Sequence, residues 1–146
     1  VGVTFSNHVV EIEKHLRMIA STVRRRGRML LEQYHMTPPQ FDALVILDRD
    51  GVLTIGDLSN RLYLAYSTTT DLVDRLERAS FVVRERDSED RRVVRVRLLE
   101  KGRQMIEKVL DARRAYLAGV LESVSSKDQE EILRILALLN DKMDKN

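Results

Sequence analysis

Apolar positions recur at three- and four-residue spacing near both ends of the chain. Val9, Ile12, Leu16, Ile19, Val23 and Leu30 form such a run, interrupted by Arg26. The run predicts a long amphipathic helix over about 7–34. Its stripe is narrow and heptad-like, which suits packing against other helices. Near the other end, Ile106, Val109, Leu110, Arg113, Leu117, Val120 and Leu121 mark the stripe of a long helix from about 100 to 123, and Ile132, Ile135, Leu136, Leu139 and Met143 mark a last one reaching about 144. Ser126 and Gln129 have capping-box spacing at the start of that last helix.

The middle of the chain is more finely divided. Thr37, Pro38, Pro39 and Gln40 combine a cap, first-turn prolines and a capping-box glutamine. They predict a helix that buries Phe41, Leu44, Val45 and Leu47 and ends at Asp50-Gly51. Thr54 caps a short helix with Ile55, Leu58 and Leu62 inward, and Leu64-Ala65-Tyr66 makes a turn. A second helix follows from about Ser67 to Ala79, with Thr69, Leu72, Val73 and Leu76 inward. The stretches 81–86 and 92–98 read as strands. In the second strand Val94, Val96 and Leu98 alternate with Val93, Arg95 and Arg97. The loop between the strands, Asp87-Ser88-Glu89-Asp90-Arg91, is entirely polar.

The fold expected is mainly α with a small β-hairpin wing: a winged helix-turn-helix over 37–98 inside one domain, 1–146. Helices over 7–34 and 100–144 are left over for dimerisation, because their apolar stripes exceed what the small central unit can cover.

Composition narrows the function. With 146 residues and a third of them charged, the chain can bury a core. It has no cysteine, which excludes disulfides, thiolate nucleophiles and thiol redox sensing. No apolar run approaches the roughly 20 residues of a membrane span, and the N-terminus lacks the basic-then-apolar order of a secretory signal. The expectation is a cytoplasmic protein. The net charge of +2 says little, but its distribution is uneven. Arg24, Arg25, Arg26 and Arg28 form one cluster; Arg84, Arg86, Arg91, Arg92, Arg95 and Arg97 form another. Arginine is suited to forked contacts with phosphates and guanine.

These pieces point to duplex DNA. A recognition helix places its N-terminal side chains against base edges in the major groove. Ser67, Thr68, Thr70, Asp71 and Arg75 are the candidates there. Ser67 is left open between contact with DNA and simple capping. Thr68 and Thr70 are assigned to DNA, because an exposed threonine is a poor helix former. Asp71 can accept from a cytosine amine but repels phosphate. At the hairpin, Arg86, Arg91 and Arg92 are the candidate grips, since an arginine at a ribbon tip can enter a narrow minor groove. Asp90 is expected to orient an arginine, with Arg75 and Arg92 as candidate partners. The Arg24–Arg28 run wraps around its helix and reads mainly as solvated surface. Arg26 is the exception, offered either as partner to a carboxylate or as the anion-binding residue of a pocket. His8, His15 and His35 are scattered, and no nucleophile–base pair or Gly-rich phosphate loop is present. Neither an enzyme, a metal site nor a cofactor is expected.

The residues together resemble the MarR family of bacterial transcription regulators, which are homodimeric winged helix-turn-helix proteins. The likeness runs from Val9 to about Met143. It is carried by TPPQFDALVIL at Thr37–Leu47, by IGDLSNRL, by STTTDLVDRLER, and by RERDSEDRRVVRVRLLEKG at Arg84–Gly102. The resemblance implies that Ser67, Thr68 and Thr70 lie on the recognition helix and that Arg92 is the wing-tip arginine braced by Asp90. It further implies a dimer built from the first and last two helices; two recognition helices one DNA turn apart then call for a near-palindromic operator. It implies a repressor released by a small aromatic or anionic ligand where the first helix meets the DNA-binding unit. A ligand- or protein-binding module that kept the fold without DNA binding is the alternative. The chain departs from the family pattern in three places. Leu99 stands where a capping threonine is usual, Ser80 where a glycine of positive φ is usual, and Asp71 where a basic or neutral residue is commoner.

Overall fold

A computed structural model describes residues 2–145. Six helices and three strands follow in the order α1 (Asn7–Gln33), α2 (Pro38–Asp50), β1 (Leu53–Thr54), α3 (Ile55–Leu62), α4 (Tyr66–Arg78), β2 (Val82–Arg86), β3 (Val94–Leu98), α5 (Glu100–Leu121) and α6 (Ser126–Asp144) among the described residues. The chain forms two compact units, one ending at Val109 and the other beginning at Leu110, so the boundary falls inside α5.

Local chemistry fixes most of the ends. Ser6 caps α1 by accepting from the Val9 N–H. At α2 the capping box is complete: the Gln40 N–H donates to Thr37 Oγ1 at 3.3 Å, and the Thr37 N–H donates to Gln40 Oε1 at 2.9 Å. Gly51 ends α2 at φ 80°, a conformation glycine adopts without steric cost. Thr54 caps α3 through the Asp57 N–H at 3.0 Å. Ser80, after α4, has φ 64°, as expected for a position that usually holds glycine.

The first unit holds the core. Phe41, Ala43, Leu44, Ile46 and Leu47 of α2 are buried with Ile55 and Leu58 of α3 and Leu72, Val73 and Leu76 of α4. Val82, Val96 and Leu98 close the core from the sheet, and Ile106 and Val109 from the first turns of α5. Helix α2 is buried more broadly than its sequence suggests: Ala43 and Ile46 are inside, and Val45 is only half-buried. The sheet has the order β1-β3-β2. Strand β3 pairs antiparallel with β2, Arg84 opposite Val96 and Arg86 opposite Val94, and with β1, Leu53 opposite Val96.

The structure corrects four expectations. Strand β1 has no counterpart in the sequence pattern. Strands β2 and β3 start at Val82 and Val94. Helix α4 starts at Tyr66, with Ala65 as its N-cap and no side-chain cap bond, so Ser67 lies inside the helix. Helix α6 is capped by Ser125, whose hydroxyl accepts from the Asp128 N–H at 3.1 Å. The capping box from Ser126 does not form. The Gln129 amide instead donates to the Leu121 and Val124 carbonyls, closing the end of α5.

The apolar stripes of the outer helices stay uncovered. Leu31 is the sole buried residue of α1, and Ile12, Ile19 and Val23 are more than half exposed. Helix α6 buries none of its side chains, and Leu133 is 70% exposed. Among the described residues no helix is long and apolar enough to cross a membrane.

Candidate nucleic-acid interface

Helix α4 divides cleanly. Thr69, Leu72, Val73 and Leu76 are buried, while Ser67, Thr68, Asp71 and Arg75 are exposed. Because Ala65 is the cap, the Ser67 and Thr68 hydroxyls are not drawn into capping, and the alternative left open for Ser67 is excluded. The two buried-side threonines bond backward along the helix: Thr69 Oγ1 donates to the Ala65 carbonyl at 3.0 Å and Thr70 Oγ1 to the Tyr66 carbonyl at 3.1 Å. Thr70 is thus half-buried with its proton already committed, against the expectation of an exposed hydroxyl. It remains able to accept. Thr70 lines a cleft of about 430 Å³ with Tyr66, Glu77, Arg84 and Arg86.

The hairpin is fastened to α4 by one arginine. The Arg84 N–H donates to Glu77 Oε2 at 2.8 Å, and its Nε donates to Glu77 Oε1 at 3.0 Å. Its Nη1 lies 2.6 Å from Asp74 Oδ1. These groups sit in the basic cluster and on the helix face by sequence, yet their job is to join the two elements.

The wing loop is organised around Asp87. Its Oδ1 accepts from the N–H groups of Glu89 at 2.8 Å and Asp90 at 3.1 Å, and its Oδ2 accepts from Arg95 Nη1 at 2.6 Å. The Arg95 guanidinium, followed by the Asp90 and Glu89 N–H groups, pulls the Asp87 pKa down to about 2. Asp90 in turn grips Arg92. Its Oδ1 accepts from Arg92 Nε and its Oδ2 from Arg92 Nη2, each at 3.1 Å, and the Arg92 N–H also donates to Oδ1. That side-chain fork is the main reason the Asp90 pKa is lowered. Of the two partners expected for Asp90, the geometry selects Arg92 and not Arg75. The Arg92 side chain is 91% exposed, held outward at the tip.

The remaining arginines separate by partner. Arg97 pairs with Glu85 across the strands at 2.7 Å. Arg86 Nη1 donates to the Arg91 carbonyl at 2.8 Å, which leaves the exposed Arg91 side chain projecting from the loop. Asp71 is exposed, one helical turn before the exposed Arg75. Arg26 is exposed on α1 and has an interaction of its own within the chain.

Sequence reasoning misses the concerted action of Asp87, Arg95, Glu77, Arg84 and Asp74. Only Asp87 carries a local signal, since an aspartate that accepts from the N–H two residues on makes an Asx turn.

Leu99 has no side-chain acceptor, and α5 starts by other means. The Leu99 N–H donates to the Phe81 carbonyl at 2.9 Å, and Lys101 Nζ donates to the Ala79 carbonyl at 2.8 Å. Gly102 is packed so closely that a Cβ there would lie 2.5 Å from the Phe81 carbonyl oxygen.

Comparison with known proteins identifies the family and the fold. The family model for the MarR family matches residues 36–94. The HTH-type transcriptional regulator YsmB of Bacillus subtilis (strain 168) is 47% identical over 121 residues, 83% of each chain. The structure of a MarR family protein from Bacillus stearothermophilus superposes with a TM-score of 0.84 at 49% identity, covering 97% of this chain and 99% of that one. The fold is shared with a mutant of S. aureus MepR bound to an oligodeoxyribonucleotide, at a TM-score of 0.70 and 22% identity over 96% and 99% of the two chains.

Proposed function

This chain belongs to the MarR family of helix-turn-helix transcriptional regulators, and we propose that it works as a cytoplasmic homodimeric repressor of a near-palindromic operator. The observation that carries the reading is the pairing of two contacts on one unit. Helix α4 presents the free Ser67 and Thr68 hydroxyls, and the wing presents Arg92 in the grip of Asp90.

In this reading α4 enters the major groove. Ser67 and Thr68 meet base edges, where a hydroxyl can donate or accept and the threonine methyl can meet a thymine methyl. Thr70 contributes as an acceptor, Asp71 accepts from a cytosine amine, and Arg75 reaches phosphate or guanine. Arg92 enters the neighbouring minor groove, with Arg86 and Arg91 on the flanking backbone. Asp90 fixes the fork of Arg92 before DNA arrives, so less rotamer freedom is lost on binding.

The uncovered stripes of α1, α5 and α6 support dimerisation. Exposed apolar side chains such as Ile19, Val23, Leu133 and Leu136 are a cost in water unless a second copy covers them. A two-fold dimer would present two recognition helices to half-sites about one DNA turn apart. Release by a small aromatic or anionic ligand completes the proposal, with Arg26 as its anion partner. Such a ligand must bind the free and DNA-bound forms unequally.

The test is a gel shift on the promoter beside the protein's own gene, at about 50 and about 200 mM salt. Specific binding that falls by about a thousandfold or more between them supports the reading. No preference for that promoter over random DNA defeats it. Titration calorimetry with phenolic acids tests the ligand: equal affinity for free and operator-bound protein removes it, and binding unchanged by Arg26→Ala removes that residue.

A further inference from the structure

Tyr63 stands in the turn between α3 and α4, three residues before α4 begins. Its backbone is left-handed, φ 56° and ψ 39°, and the residue is 94% exposed. The Tyr63 N–H donates to the Asn60 carbonyl at 3.3 Å, and the Leu64 N–H donates to the Ser59 carbonyl at 3.1 Å. This is a helix end of the kind that glycine fills without strain. His35 and Ser80 also have positive φ among the described residues. Histidine is enriched in that region and serine is small, whereas a bulky aromatic is an outlier there. Among the described residues the Tyr63 ring has neither burial nor a hydrogen bond to offset the strain.

What the ring gains must therefore come from outside the chain, and its place in the fold limits the choice. In a helix-turn-helix the second helix enters the major groove while the first crosses the sugar-phosphate backbone. The turn between them lies at the edge of the groove, among phosphates. Tyrosine hydroxyls are among the groups that contact phosphate and set a protein's register on the duplex. Resting on the DNA-binding reading above, we infer that the Tyr63 hydroxyl donates a hydrogen bond to a phosphate oxygen at the edge of the major groove, and so positions α4.

The experiment begins by selecting a binding sequence from a random duplex library with the wild-type protein. Fluorescence anisotropy then compares wild type, Tyr63→Phe and Tyr63→Gly on the selected duplex and on a scrambled duplex, at several salt concentrations. Thermal melts accompany each variant. Tyr63→Phe is expected to weaken both duplexes alike, by about tenfold. The salt dependence stays unchanged, because a neutral donor releases no counterion. Tyr63→Gly is expected to give the same loss while melting higher than wild type. Wild-type affinity in Tyr63→Phe overturns the inference. A loss confined to the selected duplex also overturns it, by making the contact one to a base. A wild-type protein that enriches no sequence and binds neither duplex sinks the DNA-binding reading itself, and this inference with it.

Discussion

Glu77→Ala should loosen the joint between recognition helix and wing. The Glu77 carboxylate accepts from the Arg84 N–H at 2.8 Å and from Arg84 Nε at 3.0 Å. A hydrogen bond to a charged group contributes about 1.5–3 kcal/mol when shielded from water. Here both side chains are about one-third exposed, 33% for Arg84 and 32% for Glu77. The backbone bond then falls toward the low end of that range, and the side-chain pair adds about 0.2–1 kcal/mol. Alanine's better helix propensity returns a few tenths of a kcal/mol. The net loss is about 2 kcal/mol, or about 4–8 °C in melting temperature for a chain of this size. Glu77→Gln keeps an oxygen for the Arg84 N–H and should lose about half as much. Urea unfolding at one fixed protein concentration, needed because dimerisation couples to stability, gives both values. Hydrogen exchange at the Arg84 amide should speed up in Glu77→Ala. Equal losses for Ala and Gln, or no loss in either, would refute the assignment of Glu77 as acceptor for that amide.

Gly102→Ala should destabilise by about 1–3 kcal/mol, because the new Cβ would sit 2.5 Å from the Phe81 carbonyl oxygen. Ser80→Gly should do the opposite, by about 1 kcal/mol, since Ser80 holds φ 64°; calorimetric scans of the pair show whether the signs are opposed. Asp87, lowered to about 2 from an ordinary carboxylate value of 3.8, should hold the wing loop fully above about pH 4 and release it as pH falls through 2. Wing amide shifts unchanged from about pH 8 to about pH 5 and moving only below about pH 4 would agree; a transition near neutrality would not. Peroxide should leave DNA binding unchanged apart from slow methionine oxidation, as the chain has no cysteine; rapid loss reversed by dithiothreitol would contradict this.

What was legible in the sequence was what short-range chemistry decides. Thr37-Pro38-Pro39-Gln40 placed the start of α2, and both bonds of its box form. Ser80 in a glycine position foretold the left-handed backbone that the chain adopts. Strand β1 escaped because two residues carry no period, and it exists only by pairing with Val96 and Arg95. The start of α4 was misplaced because Ser67 looks like a cap, whereas the backbone alone starts the helix at Ala65. At α6 the capping-box spacing of Ser126 and Gln129 points one residue too late, because the helix is capped by Ser125, which accepts from the Asp128 N–H. The arginine cluster was visible as charge, but not as roles. Which arginines are tied internally depends on Glu77, Glu85 and Asp87, seven to twelve residues from their partners. Only the folded hairpin and its packing against α4 bring those groups within reach, leaving Arg91 and Arg92 to project.

The most direct test of the central claim is a hydroxyl-radical footprint on the promoter beside the protein's own gene, with Arg92→Ala run in parallel. The account predicts two protected half-sites with centres about 34–36 Å, or about 10–10.5 bp, apart. It also predicts outer protections in the flanking minor grooves that vanish in Arg92→Ala while the half-sites remain. Protection of a single half-site would contradict the dimer, and outer protections that persist without Arg92 would contradict the wing.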